Sequence, residues 1–228
     1  MNIVYYAFLS YVIWLSVGII YNWIILKTKH LDGIKLEGNR ATVESFRKRF
    51  VLIAFNLVLP AFLVPFSVYN YRHYLSSSWP AWEIAIFQFI VMIVLDDIWT
   101  YTSHRLLHEN KFLLRTVHSV HHRARNPSPL DFVYVHPVEW FITPFGIMAA
   151  GAILVLTCGK IYLPVLLGYL TFRIIFEMHI HSGLRSIFYK YIPIFVDPDF
   201  HWTHHEKARG NYSSMLGYLD RVFGTLIR

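Results

Sequence analysis

Apolar residues run along this chain in long uninterrupted stretches, and charge is confined to the segments between them. Residues 1–26 carry no charge, and neither do 50–71 or 140–159. A bilayer-spanning helix needs about 20 such residues, so each stretch reads as a span. Two shorter apolar runs, 84–95 and 161–172, complete the set. The pattern predicts helices over 3–26, 50–70 (bending near Pro60 and Pro65), 81–109 and about 112–123. A helical hairpin follows, 137–157 and 161–181, turning at residues 158–160. Pro127 and Pro129 mark 126–131 as a loop. No alternating run suits a membrane barrel, so the expected fold is all-α. It is a membrane helical bundle with four to five spans (about 3–26, 50–70, 81–100, 140–157 and 161–178), in one domain without internal repeats.

The two short spans are the informative ones. No helix breaker follows 84–95; the helical pattern continues through Asp97, Tyr101, His104 and His108, which share a face at spacings of four, three and four. Likewise 161–172 runs on into Arg173, Glu177 and His181, each four apart. Both helices are expected to protrude beyond the lipid and to carry their polar residues in a cap on one side of the membrane.

Composition agrees: 55% of residues are hydrophobic and 15% charged, against about a quarter charged in soluble domains. The N-terminal stretch has no basic region before it and no small-residue cleavage site after it, so it reads as a retained span rather than a signal peptide. Of the 21 Lys and Arg residues, 18 lie in 27–49, 101–131 and the tail beyond Met178. Only Arg72 and Lys160 lie on the other side, and Arg173 is inside a span. The positive-inside rule then puts the N-terminus outside, and the 27–49 loop, the polar cap and the C-terminus in the cytoplasm. The net charge of +7 follows from this topology and offers nucleic acid no independent basic domain. The single Cys158 excludes a disulfide framework within the chain.

Histidine supplies the candidate chemistry. Eight histidines fall in three clusters: His104 and His108; His118, His121 and His122; His201, His204 and His205. Helical spacing turns each cluster into a stripe of imidazoles. Neutral imidazole binds iron, zinc, copper and nickel, and eight ligands exceed the needs of one ion. The expectation is a histidine-rich site for two metal ions. His181, on the Arg173–Glu177 stripe, reads as a further ligand. His136, before Pro137 at a membrane entry point, reads equally as a ligand or an interfacial histidine, and His179 as a ligand or a ligand's partner. His30 and His73 read as ordinary polar residues. Ligating histidines usually donate their other N–H to a carboxylate or carbonyl. Asp97, Glu139, Glu177, Asp197 and Asp220 are candidate acceptors, with Asp97, on the His104 face, placed first.

These residues resemble the fatty acid hydroxylase superfamily, also called the sterol desaturase family, over about 97–225. Asp97-x3-Tyr101-x2-His104-Arg105-x2-His108 looks like its first box, and the second box follows at the family's close spacing. His136-Pro137-x-Glu139, His181-Ser182-Gly183, Gly210-Asn211-Tyr212 and Asp220-Arg221-Val222-Phe223-Gly224-Thr225 are similar to its other recurring elements. The resemblance implies a membrane-bound non-haem di-iron oxygenase. Such an enzyme uses O2 and external electrons to hydroxylate or desaturate an unactivated C–H position of a lipid. It implies two iron ions, with zinc able to substitute, and adds His136 and His181 to the ligands; at His179 many relatives carry Asp. It also implies a lipid substrate taken from the bilayer and a separate electron donor, a reductase with ferredoxin or cytochrome.

Other readings fit less well. An intramembrane metallohydrolase would want a His-Glu-x-x-His pairing, which supplies a zinc site with a general base and is not present. A metal transporter would place its ligands near the bilayer midplane, whereas these lie beyond the span ends.

Overall fold

The computed structural model describes residues 3–36, 41–186 and 191–227. Arg40, Lys190 and Arg228, which enter the charge count, lie outside them. Ten helices are found among the described residues: α1 (Ile3–Lys27), α2 (Val43–Tyr71), α3 (Trp82–Glu109), α4 (Lys111–Leu113), α5 (Ser119–His122), α6 (Pro137–Ile142), α7 (Phe145–Cys158), α8 (Leu163–Ile180), α9 (Pro198–Lys207) and α10 (Tyr218–Val222). Among these residues five spans are long and apolar enough to cross a membrane: α1, α2, α3, α6 with α7, and α8. Their outer faces are apolar and bare, with Val51, Phe62 and Leu156 at 80%, 70% and 85% exposure, as suits helices that meet lipid rather than water. The chain is a multi-pass, all-α membrane bundle.

Several boundaries differ from those expected, each for a local reason. The second span starts at Val43 rather than residue 50, because Thr42 and Ser45 form a capping box: the Ser45 N–H donates to Thr42 Oγ1 (3.1 Å) and the Thr42 N–H to Ser45 Oγ (3.0 Å). Helix α2 then continues through Pro60 and Pro65. The expected helix at 112–123 is broken by a π turn at Leu114–His118, the kind of local widening often found at functional sites. The helix expected over 137–157 is interrupted at residues 143–144, between α6 and α7. The hairpin turn is as read: Gly159 closes α7 at φ +74°, where a side chain would be strained. A two-residue parallel pairing, Leu75 with Ile161 and Ser76 with Tyr162, joins the segments that lead into α3 and α8. Buried Gln88 secures that end, its amide donating to Lys160 O (2.9 Å) and its carbonyl accepting from Tyr162 N (3.1 Å).

Helix α3 packs on α7 and α8, and α1 packs on α2. Buried backbone groups outside helices need partners, and polar residues in the spans supply them. Asn56 on α2 donates to the Val133 and Val135 carbonyls, and Asn22 on α1 accepts from Leu130 N. Arg49 forms a buried two-pronged pair with Asp131 (2.6 and 2.7 Å). Together these bonds hold the 129–135 segment between α1 and α2. Between α3 and α8 lies a buried ionic knot: Arg173 pairs with Asp96 and with Glu177 (3.1 Å), and Tyr169 donates to Asp96 (2.6 Å). Gly146 lets α7 close against it, because a Cβ there would meet the Asp96 Cα at 2.8 Å.

Candidate metal centre

Helix α3 is continuous to Glu109, so it carries His104 and His108 on its last turns, as its unbroken pattern predicts. His181 sits immediately after the end of α8. Helix α9 is capped by Asp197, whose side chain accepts from Phe200 N (2.8 Å), and presents His201, His204 and His205 inward. These ends meet the segment bearing His118, His121 and His122.

Nine histidines converge there in two adjacent groups. His104, His108, His118, His122 and His204 form the first, and His121, His181, His201 and His205 the second. Within each group one ring nitrogen per residue lies within 4.8 Å of the others. The two groups touch, with the His122 and His205 rings 5.0 Å apart. Residues four apart share a group (His104 with His108, His118 with His122, His201 with His205), while the remaining member of each later cluster, His121 or His204, turns to the other.

The rings are oriented from outside. Nδ1 of His104 donates to Tyr212 O (2.8 Å), that of His108 to Ala208 O (3.1 Å) and that of His204 to Gly210 O (2.6 Å). His118 Nδ1 donates to Glu139 Oε1 (2.9 Å). In the second group His121 Nδ1 donates to Tyr134 O (3.3 Å) and His181 Nδ1 to Glu177 O (2.8 Å). A neutral imidazole that donates from Nδ1 turns a bare lone pair inward at Nε2. Nε2 of His104 and of His118 therefore face each other at 3.1 Å with no proton to share, and His204 Nε2 is buried without a hydrogen-bond partner. Such a cluster of unprotonated donors fits a cation. Nitrogens each about 2.1 Å from one ion stand roughly 3.0–3.4 Å apart, and the observed Nε2 spacings are 3.0–3.1 Å.

Burial keeps these rings neutral, the form that binds metal. It lowers His121 and His181 to about 4, and His118, His201, His204 and His205 well below their ordinary value. In the unfolded chain the same groups titrate near 6.5, so between about pH 6.5 and 4 the unfolded state binds protons that the folded state refuses. The metal-stripped protein is therefore expected to be most stable above pH 6.5 and to lose stability as pH falls towards 4. Thermal unfolding of stripped protein in detergent, followed from pH 7.5 to 4.5, checks this. A flat profile would mean that these rings are not buried neutral.

The remaining candidates sit elsewhere. His136 lies outside both groups: its Nδ1 accepts from Val138 N (3.1 Å) and caps α6. His179 also lies outside, with Nε2 buried and unpartnered. His30 and His73 are exposed in turns. Asp97, placed first as an acceptor for an imidazole, instead accepts from Met215 N and Leu216 N (both 3.1 Å). Asp220 accepts from Tyr212 N (2.9 Å) and Ser213 N (2.8 Å). Glu177 meets His181 through its carbonyl, and its carboxylate is turned to Arg173. Asp197 caps α9. Of the five carboxylates, Glu139 is the one that receives an imidazole N–H directly.

Sequence reasoning missed the loop 208–216. Its carbonyls at 208, 210 and 212 orient His108, His204 and His104, and Asp97 and Asp220 hold its backbone. Gly210 is required there, with φ +61° and Thr225 O only 2.6 Å from where a Cβ would sit. Asn211 ties the loop to Phe200 O and to the Ile227 backbone. The signal was present in Gly210-Asn211-Tyr212 and in the run from Asp220 to Thr225. Carbonyl acceptors, however, are invisible in side-chain patterns.

A family model described as fatty acid hydroxylase matches residues 89–225, more than half of the chain and all nine grouped histidines. Methylsterol monooxygenase 1 of Rattus norvegicus is 33% identical over 64% of this chain and 48% of its own length. A methylsterol monooxygenase of Aspergillus fumigatus is 28% identical over 89% and 71%. A very-long-chain aldehyde decarbonylase of Oryza sativa subsp. indica is 30% identical over 78% and 66%. The chain thus spans about half the length of the rat relative. No solved structure matches it.

Proposed function

The chain belongs to the fatty acid hydroxylase family, and from that premise we propose that it is a membrane-bound non-haem di-iron oxygenase acting on a lipid C–H bond. The observation that carries this reading is the pair of adjacent all-histidine groups whose bare nitrogens converge at the ends of membrane spans. The proposed ligands are the nine grouped histidines, set in one domain with its catalytic core at about 97–225. Two iron ions, with zinc able to substitute because imidazole discriminates weakly, would supply O2 activation. The relatives named for monooxygenation of methylsterols and for decarbonylation of very-long-chain aldehydes support a lipid substrate and an external electron donor.

The chain's own part is to orient and to exclude water. The 208–216 loop and Glu139 aim the first group, and the Tyr134 and Glu177 carbonyls aim the second. The 129–135 segment, pinned by Asn56 and Arg49, walls one side. The charge distribution supports a cytoplasmic location for the centre. A reporter fused after Arg228 is expected to read cytoplasmic, and one inserted near Ser77 external; the reverse pattern would put the centre on the wrong side for a cytoplasmic reductant.

Lipid extracts of cells with and without the gene, grown under ¹⁸O2, test the reaction. One lipid class should gain an ¹⁸O-labelled hydroxyl or a double bond only when the gene is present. Identical lipid profiles from cells in which the protein is verified to be iron-loaded would sink the oxygenase reading.

A further inference from the structure

One of the motif histidines is left without a place in either metal group, and it lines a groove. The cavity, of about 440 Å³, opens between the early turns of α2 and the segment following α5. Its wall is apolar and lipid-facing, with Val51 and Phe55 at 80% and 53% exposure. Its floor is Val120, the neighbour of His121, together with Tyr134, whose carbonyl orients His121. The floor of the groove thus backs onto His121 of the second histidine group, through Val120 and the Tyr134 backbone.

Its polar rim is one-sided. His136 spends Nδ1 accepting from Val138 N, which puts the ring proton on Nε2 and makes that atom a donor. Lys48 and Arg123 add cationic donors. Among the described residues Lys48 pairs with Glu44 alone, in an exposed ion pair that is a weak competitor in water. Arg123 is exposed and makes no ion pair with another described residue. Arg49 also reaches the groove, but its charge is paired with Asp131, and among the described residues no carboxylate lines the groove. Such a rim attracts an acceptor-rich anion, and the wall takes a hydrocarbon chain. The volume lies at the small end of ligand pockets, which suits one chain rather than the two of a phospholipid.

We propose that this groove binds a single-chain lipid with a carboxylate head, held by Lys48, Arg123 and His136, with its chain directed towards the second histidine group. That the lipid is the substrate rests on the oxygenase reading; that it binds does not. The test therefore uses zinc-loaded protein in phosphatidylcholine nanodiscs at pH 8, which needs no turnover. The probe is palmitate carrying a photoreactive diazirine in its chain, compared with the matching hexadecanol and challenged with inorganic phosphate. Palmitate should label the peptides containing Val51, Phe55 or Val120 and bind at least tenfold more tightly than hexadecanol. Arg123→Gln and His136→Ala should each weaken palmitate about tenfold, the effect of one charge-assisted hydrogen bond, while leaving hexadecanol and the zinc content unchanged. Equal binding of the alcohol, displacement by free phosphate, or zinc loss in His136→Ala would each overturn the proposal, the last by making His136 a ligand. If palmitate binds as expected but the iron-loaded protein oxidises no lipid, the groove stands and the oxygenase reading fails.

Discussion

His201→Ala is expected to leave one metal ion per chain and no turnover. The second group has four donors, so the loss of one leaves an incomplete set with no spare imidazole. The partition makes a sharper prediction from a double and a triple replacement. Adding His205→Ala, in the same group, should remove no further metal. Adding His118→Ala and His204→Ala, both in the first group, should take the remaining ion. Elemental analysis after dialysis against a weak chelator reads the outcome, with His30→Ala and His73→Ala as exposed controls that keep both ions. If His201→Ala with His205→Ala emptied the chain while the first group's histidines remained, the two groups would not be independent sites.

Arg173→Met should be the most damaging replacement away from the histidines. Among the described residues Arg173 is the guanidinium that joins α3 to α8, and its loss leaves the buried carboxylates of Asp96 and Glu177 without their cation, with Tyr169 still donating to Asp96. Breaking one side of a buried pair costs about 3–5 kcal/mol. The damage should reach the metal centre, because the Glu177 carbonyl orients His181. The expected result is a large fall in apparent melting temperature in detergent together with loss of metal from the second group. Pairing it with Asp96→Asn removes one stranded charge and should restore part of the stability. Unchanged melting and metal content in Arg173→Met would show that the ionic knot does not hold α3 to α8.

Much of this architecture could be read along the chain because it depends on local composition. Uncharged stretches as long as a bilayer is thick have few alternatives to spanning it. The unbroken pattern through Asp97, Tyr101, His104 and His108 likewise required one helix with histidines at its end. The errors fell where local features outweigh the apolar pattern. The capping box at Thr42 and Ser45 carried α2 back through a basic stretch, and the π turn interrupted a segment whose sequence reads as plain helix.

The three clusters by themselves determined that histidines would gather at one side of a helical membrane bundle in numbers too large for one ion. Helical periodicity brings residues three and four apart to one face, and the count of imidazoles exceeds what one ion can take. Only the tertiary structure decided which imidazole stands with which. His121 leaves its cluster for His181, His201 and His205, and His204 joins His104, His108, His118 and His122. Only the tertiary structure, too, decided that His136 stands apart and that Asp97 supports a loop instead of a ring. The reason is physical: a ring's partners are set by how α3, α8, α9 and the 208–216 loop close on one another, through backbone carbonyls that every residue possesses and no side-chain motif records.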